Sequence, residues 1–102
     1  MAEVRFLDEA EADLWQIGGY IASQSGSLEI SLGFIKKIRE RCALHATQPE
    51  MGTLRTDLGE NVRCFTVENY VVIFHPILNG IEVLMVIHGS RDIQTHFQDR
   101  LE

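Results

Sequence analysis

Residues 62–88 read VRCFTVENYVVIFHPILNGIEVLMVIH, and this stretch decides the fold. Runs rich in Val, Ile and Phe (Val62–Val67, Tyr70–His75 and Ile81–His88) are divided by Glu68-Asn69 and by Leu78-Asn79-Gly80. β-Branched and aromatic side chains favour the pleated strand, and Asn or Gly between two such runs marks a tight reversal. The text predicts three antiparallel strands joined by hairpins. YVVIF and IEVLMVI hardly alternate, so both are expected well inside the sheet, covered on more than one side.

Upstream of the strands, Pro49, Gly52 and Gly59 forbid a long helix between Thr47 and Asn61. That leaves a loop of about fifteen residues, long enough for a binding role. Before it, Leu28, Leu32, Ile35, Arg39 and Cys42 hold the helical period, with Phe34, Ile38 and Ala46 widening the stripe and Lys36, Lys37 and Arg41 turned to solvent. Ala10, Leu14, Ile17 and Ile21 mark an earlier helix, with Asp8 placed as its N-cap and Glu9 and Glu11 in the first turn. Gly18-Gly19 would let another backbone come close, and Ser25-Gly26-Ser27 breaks the two helices into an antiparallel hairpin. Val4-Arg5-Phe6 alternates like a short edge strand. Downstream of the sheet, Ile93, Phe97 and Leu101 recur every fourth residue, the stripe of a short helix or docking tail.

The expected fold class is α+β: an N-terminal strand and helical hairpin packed on a small antiparallel sheet, β-α-α-β-β-β plus a short C-terminal helix or tail. The 102 residues, 45% of them hydrophobic, can close one core, so a single domain over residues 1–102 is expected. Nine Lys plus Arg against fifteen Asp plus Glu leave a net charge of −6, which excludes a protein held on nucleic acid by diffuse positive charge. No apolar run approaches the roughly 20 residues of a membrane-spanning helix, and MAEVRFLDEA is no secretory signal. Cys42 and Cys64 form no CxxC and read as reduced, packed thiols, so a cytoplasmic protein is expected.

Chemistry-bearing spacings are sparse. His45, His75, His88 and His96 with the cysteines show no metal-ligand spacing, and neither metal nor cofactor is expected. Ser90 lacks a visible base–orienter pair, Cys64 sits in strand text, and no phosphate-binding glycine loop is present. Arginines are more suggestive. In a three-strand meander, Arg63 at the start of the first strand and Arg91 after the third are expected at the same end of the sheet, with Arg55 overhead. Such a cluster can bind phosphate or a partner's carboxylates; the alternative is internal pairing with Asp57, Glu60 or Asp92. Trp15, at the margin of the first helix's stripe, is a core edge or a partner anchor.

Together, AxxDLxxIxxYI (Ala10, Asp13, Leu14, Ile17, Tyr20, Ile21), PxxG (Pro49, Gly52), Arg63, YVVIF (Tyr70–Phe74) and IEVLMVIHGSRD (Ile81–Asp92) resemble the ParE branch of the ParE/RelE toxin superfamily. The resemblance runs from about Ala10 to Asp92 and is carried most by HGSRD. It implies a non-enzymatic toxin of a type II toxin–antitoxin system, of the kind tied to growth arrest and plasmid stabilisation. Such a toxin forms a hetero-oligomer with a ParD-like antitoxin, reaches DNA only through that antitoxin, and inhibits DNA gyrase by binding it. On this basis Leu14, Trp15, Ile21, Arg63 and Arg91 are expected to meet the antitoxin, and Arg55, Ile93, Phe97 and Leu101 the target.

RelE-like relatives cleave messenger RNA on the ribosome instead. For that alternative the candidates are Arg63, Arg91 and His96, while Val71 stands after Tyr70 where those relatives carry an arginine. A third reading is a degenerate toxin that serves only as its antitoxin's co-repressor partner. Met85 also departs from the arginine that many ParE-like chains carry there.

Overall fold

In a computed structural model, which describes residues 1–101, the chain runs β1 (Glu3–Phe6), α1 (Asp8–Ser25), α2 (Leu28–Thr47), β2 (Thr53–Leu54), β3 (Arg63–Val67), β4 (Tyr70–Ile77), β5 (Gly80–His88) and α3 (Ile93–Leu101). The five strands lie in the order β1-β5-β4-β3-β2. β1 runs parallel to β5, and every other pair is antiparallel. The two apolar runs, β4 and β5, both lie inside the sheet, as their lack of alternation requires. The expected α+β arrangement holds, and Ile93–Leu101 is a helix. The loop before β3 is not wholly irregular: Thr53 and Leu54 pair with Cys64 and Arg63 as a short outer strand.

Local chemistry sets the helix ends. Leu7, not Asp8, is the N-cap of α1, and no side chain caps it. Asp8, Glu9 and Glu11 instead lie inside the first turn, where the helix dipole favours negative charge. Gly26 closes α1 in the left-handed conformation (φ 68°), and the Ser27 hydroxyl opens α2 by accepting from the Ile30 N–H at 3.1 Å. Gly18 allows the helices to approach closely: the Ser31 hydroxyl donates to its carbonyl at 2.6 Å, and a Cβ there would lie 3.3 Å from the Ser31 oxygen. At the sheet's other flank, a Cβ on Gly80 would fall 1.8 Å from the Glu3 carbonyl oxygen, so only glycine lets β1 lie against β5.

The sheet separates two apolar clusters. Leu14, Ile38, Cys42, Val72, Phe74 and Val83 join the helical hairpin to one face. Leu58, Val62, Cys64, Ile73, Met85 and Phe97 fill the other face, under the loop and α3. The cysteines are both free and buried, in different clusters, and burial pushes the Cys42 thiol up to about 12. A register shift at Ile73/Phe74 marks a bulge in the β4–β5 ladder, beside which the free edge of β5 begins.

His45 lies in the first layer, 5% exposed and stacked on Phe65 with ring centroids 3.9 Å apart and planes 6° apart. Its Nδ1 has no hydrogen-bond partner, and burial holds its pKa below the ordinary histidine value. A histidine harder to protonate when folded than when unfolded makes the unfolded state the stronger proton binder, so stability rises with pH. His45 is therefore expected to leave stability intact above about pH 6.5 and to erode it below that. Urea unfolding above and below this pH should show a steeper acid loss for the wild-type chain than for His45→Phe. Equal slopes would contradict the assignment.

Candidate functional site

β1 covers β5 only as far as Val83, so the edge of β5 from Leu84 to His88 has no strand beside it. An open edge presents unpaired peptide groups. Here a side-chain pair stands in for the missing strand. Asp13 of α1 and Arg100 of α3, 87 residues apart, meet in a two-pronged ion pair (Nη1–Oδ2 and Nη2–Oδ1, both 2.8 Å). Asp13 Oδ2 also accepts from the Val86 N–H at 2.9 Å, and Arg100 Nη1 reaches the Leu84 carbonyl at 3.4 Å. The carboxylate raises the Arg100 pKa above its ordinary value. The pair is mostly buried, with side chains 11% and 26% exposed, and it ties both ends of the chain to the sheet's edge.

Beyond this pair the edge opens into a cleft of about 520 Å³ between α1, β5 and α3. Gln16 and Tyr20 of α1 face Tyr70 of β4 across it, and His88, Ser90, Arg91 and His96 complete the wall. The turn after β5 fixes His88: its Nδ1 accepts from the Ser90 N–H at 3.1 Å and lies 2.7 Å from the Ser90 hydroxyl. With that lone pair engaged, a neutral ring carries its proton on Nε2. The Tyr70 ring meets the imidazole edge-on at 5.1 Å. Asp92 caps α3, accepting from the Thr95 N–H at 3.1 Å and the Thr95 hydroxyl at 2.8 Å, and these bonds hold its pKa below the usual carboxylate range. Chemically, the cleft offers an arginine, two imidazoles, phenols and a serine hydroxyl to an anionic or polar ligand. Among the described residues, no group of three or more His, Cys, Asp or Glu is placed to hold a metal ion.

The expected arginine cluster does not form. β3 and β5 both run antiparallel to β4, and so in the same direction; the start of one and the end of the other lie at opposite ends of the sheet. Arg63 opposes Phe74 and, through it, Val83, whereas Arg91 follows His88, which opposes Tyr70. Arg63 instead donates to the Glu50 carbonyl at 2.8 Å and to Asn61 at 3.3 Å. Arg55 pairs with Asp57 (2.9 and 2.8 Å), one of the internal partners its sequence position suggested, and Asp57 also accepts from Gln94 at 3.4 Å. Arg91 and His96 do share a wall of the cleft.

Other candidates divide by burial. Trp15 is 79% exposed on α1 and so is not a core edge. Leu14 is 2% exposed and Phe97 4%, so both are core side chains and neither offers a contact surface in this fold. Ile21 and Ile93 are half-buried against the two clusters, and Leu101 is 64% exposed. Met85, where the resemblance leads one to expect an arginine, is 2% exposed in the cluster that contains Phe97.

The Asp13–Arg100 pair and the His88–Ser90–Tyr70 group are absent from the sequence reading. Asp13 carried a signal: a carboxylate inside the apolar spacing Ala10, Leu14, Ile17 must find a buried donor.

Residues 4–93 match the family model described as the ParE toxin of type II toxin–antitoxin system, parDE. No curated protein matches the sequence. Among solved structures, a chain of the chromosomal ParDE TA system from P. aeruginosa is similar in fold at 22% identity and a TM-score of 0.72, covering 86% of this chain and 96% of that one.

Proposed function

The chain belongs to the ParE toxin family of type II toxin–antitoxin systems, and from that premise we propose that it arrests growth by binding DNA gyrase and is held inactive by a ParD-like antitoxin. The observation that carries a binding mode over RNA cleavage is the separation of Arg63 from Arg91 and His96. A nuclease needs its cations gathered around one scissile phosphate with a proton donor at the leaving group. Here one candidate cation lies at the far end of the sheet. The net charge of −6 also disfavours a grip on a polyanion such as ribosomal RNA.

On this reading the antitoxin covers exposed Trp15 on α1 and runs into the cleft at Arg91, with half-buried Ile21 at the margin. Exposed Leu101 and the outer face of α3 are left for the target. The protein acts in the cytoplasm without a cofactor.

Inducing the chain in cells is expected to relax plasmid supercoiling while messages stay intact, and co-expression of the antitoxin encoded beside it is expected to restore growth. Rapid message cleavage with unchanged supercoiling would favour the ribonuclease reading. Normal growth on induction would leave only the co-repressor role.

A further inference from the structure

The cleft holds more hydrogen-bond donors than its own side chains use. Its one carboxylate, Asp13, has both oxygens engaged by Arg100, one of them also by the Val86 amide. Arg91 is exposed and pairs with no carboxylate among the described residues. The Nε2–H of a neutral His88 is left over once Nδ1 has bonded within its turn, and His96 faces the same space from α3. The strand adds a backbone donor. The Val86 N–H points to Asp13, away from β4, so the alternation of the strand turns the His88 N–H the same way.

The cleft also has aromatic walls. Tyr70 is held by Phe34, with ring centroids 5.5 Å apart, and by the edge-on contact with His88 at 5.1 Å. Tyr20 of α1 faces it and is 60% exposed. Burial and then the nearby Tyr20 phenol push the Tyr70 pKa above its ordinary value, which marks the two hydroxyls as neighbours. Gln16, one turn before Tyr20, adds an amide that both donates and accepts.

We propose that this cleft binds a nucleoside monophosphate, with the phosphate on Arg91, His88 and His96 and the flat base against Tyr20 and Tyr70 beside the Gln16 amide. The inference goes beyond the gyrase and antitoxin reading and stands whether or not that reading holds. A guanidinium takes phosphate oxygens in pairs, and every nucleobase has a face that stacks on an aromatic ring. The volume of about 520 Å³ lies within the roughly 300–1,000 Å³ of small-molecule sites. Charge fixes the number of phosphates. One uncommitted arginine suits a single phosphate, whereas a triphosphate brings a divalent cation that no group of acidic side chains among the described residues is placed to hold. A polynucleotide fits worse still, because a chain of charge −6 offers no row of cations along which a phosphate backbone could run.

The test is a titration of the ¹⁵N-labelled full chain with AMP, with adenosine, with inorganic phosphate and with a single-stranded RNA oligonucleotide. Saturable shifts confined to the amides of residues 16–20, 85–91 and 96 are expected with AMP, at least about tenfold tighter than with adenosine or phosphate, each of which makes half the contacts. Arg91 and Tyr20 are both exposed, so Arg91→Gln and Tyr20→Ala should keep the fold and melting temperature while each weakens AMP binding about tenfold. Phosphate binding as tightly as AMP would reduce the site to an anion site and overturn the proposal; adenosine binding as tightly would show that the phosphate is not read and overturn it too. Tighter binding of the RNA, shifts elsewhere in the chain, no saturation at millimolar AMP, or wild-type affinity in either variant would each do the same.

Discussion

Asp13→Ala is expected to lower the unfolding free energy by about 3 kcal/mol, because it leaves the guanidinium of Arg100 and the amide of Val86 without partners in a mostly buried site. Arg100→Ala strands the carboxylate in the same way. A double-mutant cycle separates a coupled pair from two independent losses. The double alanine variant should cost clearly less than the sum of the single variants, since removing both partners leaves no unpaired charge. Chemical denaturation of the four proteins reads this directly; additive losses would mean that the pair does not act as a unit. α1, α3 and the free edge of β5 share this joint, so amide exchange in residues 93–101 should quicken in either single variant.

Phe97→Ala is expected to cost about 3–5 kcal/mol, the range for removing a large buried ring where the surroundings close only partly. Phe97 is 4% exposed and clusters with Met85, Ile73, Cys64 and Leu58 on the second face of the sheet. α3 has nine residues, too few to hold helical shape alone, so its order depends on this docking. Circular dichroism should therefore show lost helix along with the fall in stability. Deleting everything after Asp92 is the harsher form of the same experiment. It uncovers that cluster, and weakened growth arrest by such a variant must be read against its lower stability. A Phe97→Ala chain as stable as wild type, with α3 intact, would contradict the packing described.

Much of this fold is legible in the sequence, and the failures have identifiable causes. Unbroken apolar runs identified β4 and β5 as inner strands, and Asn69 and Asn79 marked the reversals from β3 to β4 and from β4 to β5. Gly18 announced the close helix crossing. Hairpins, however, reverse direction at every step, so odd strands of a meander run the same way. Placing Arg63 beside Arg91 ignored that rule, and the arginine cluster dissolved with it. The stripe Ile93, Phe97, Leu101 looks the same whether it docks on its own sheet or on a partner. Only the fold shows that Phe97 is already buried.

The site was harder to read because its parts are distant in the chain. Asp13 and Arg100 lie 87 residues apart, and nothing local to either names the other. His88 and Ser90 stand two residues apart, but their contact depends on how the turn folds. Arg91 was legible as a candidate through the HGSRD ending, while its companions Tyr20, Tyr70 and His96 come from three separate elements.

The central claim is that this toxin acts by occupying a protein and not by cutting RNA. Purified protein added in parallel to a DNA gyrase supercoiling reaction and to ribosomes translating a defined message tests it most directly. The expected result is a dose-dependent loss of supercoiling with the message left whole. Cleavage of the message that disappears on replacing Arg91 or His96, with supercoiling untouched, would contradict the claim.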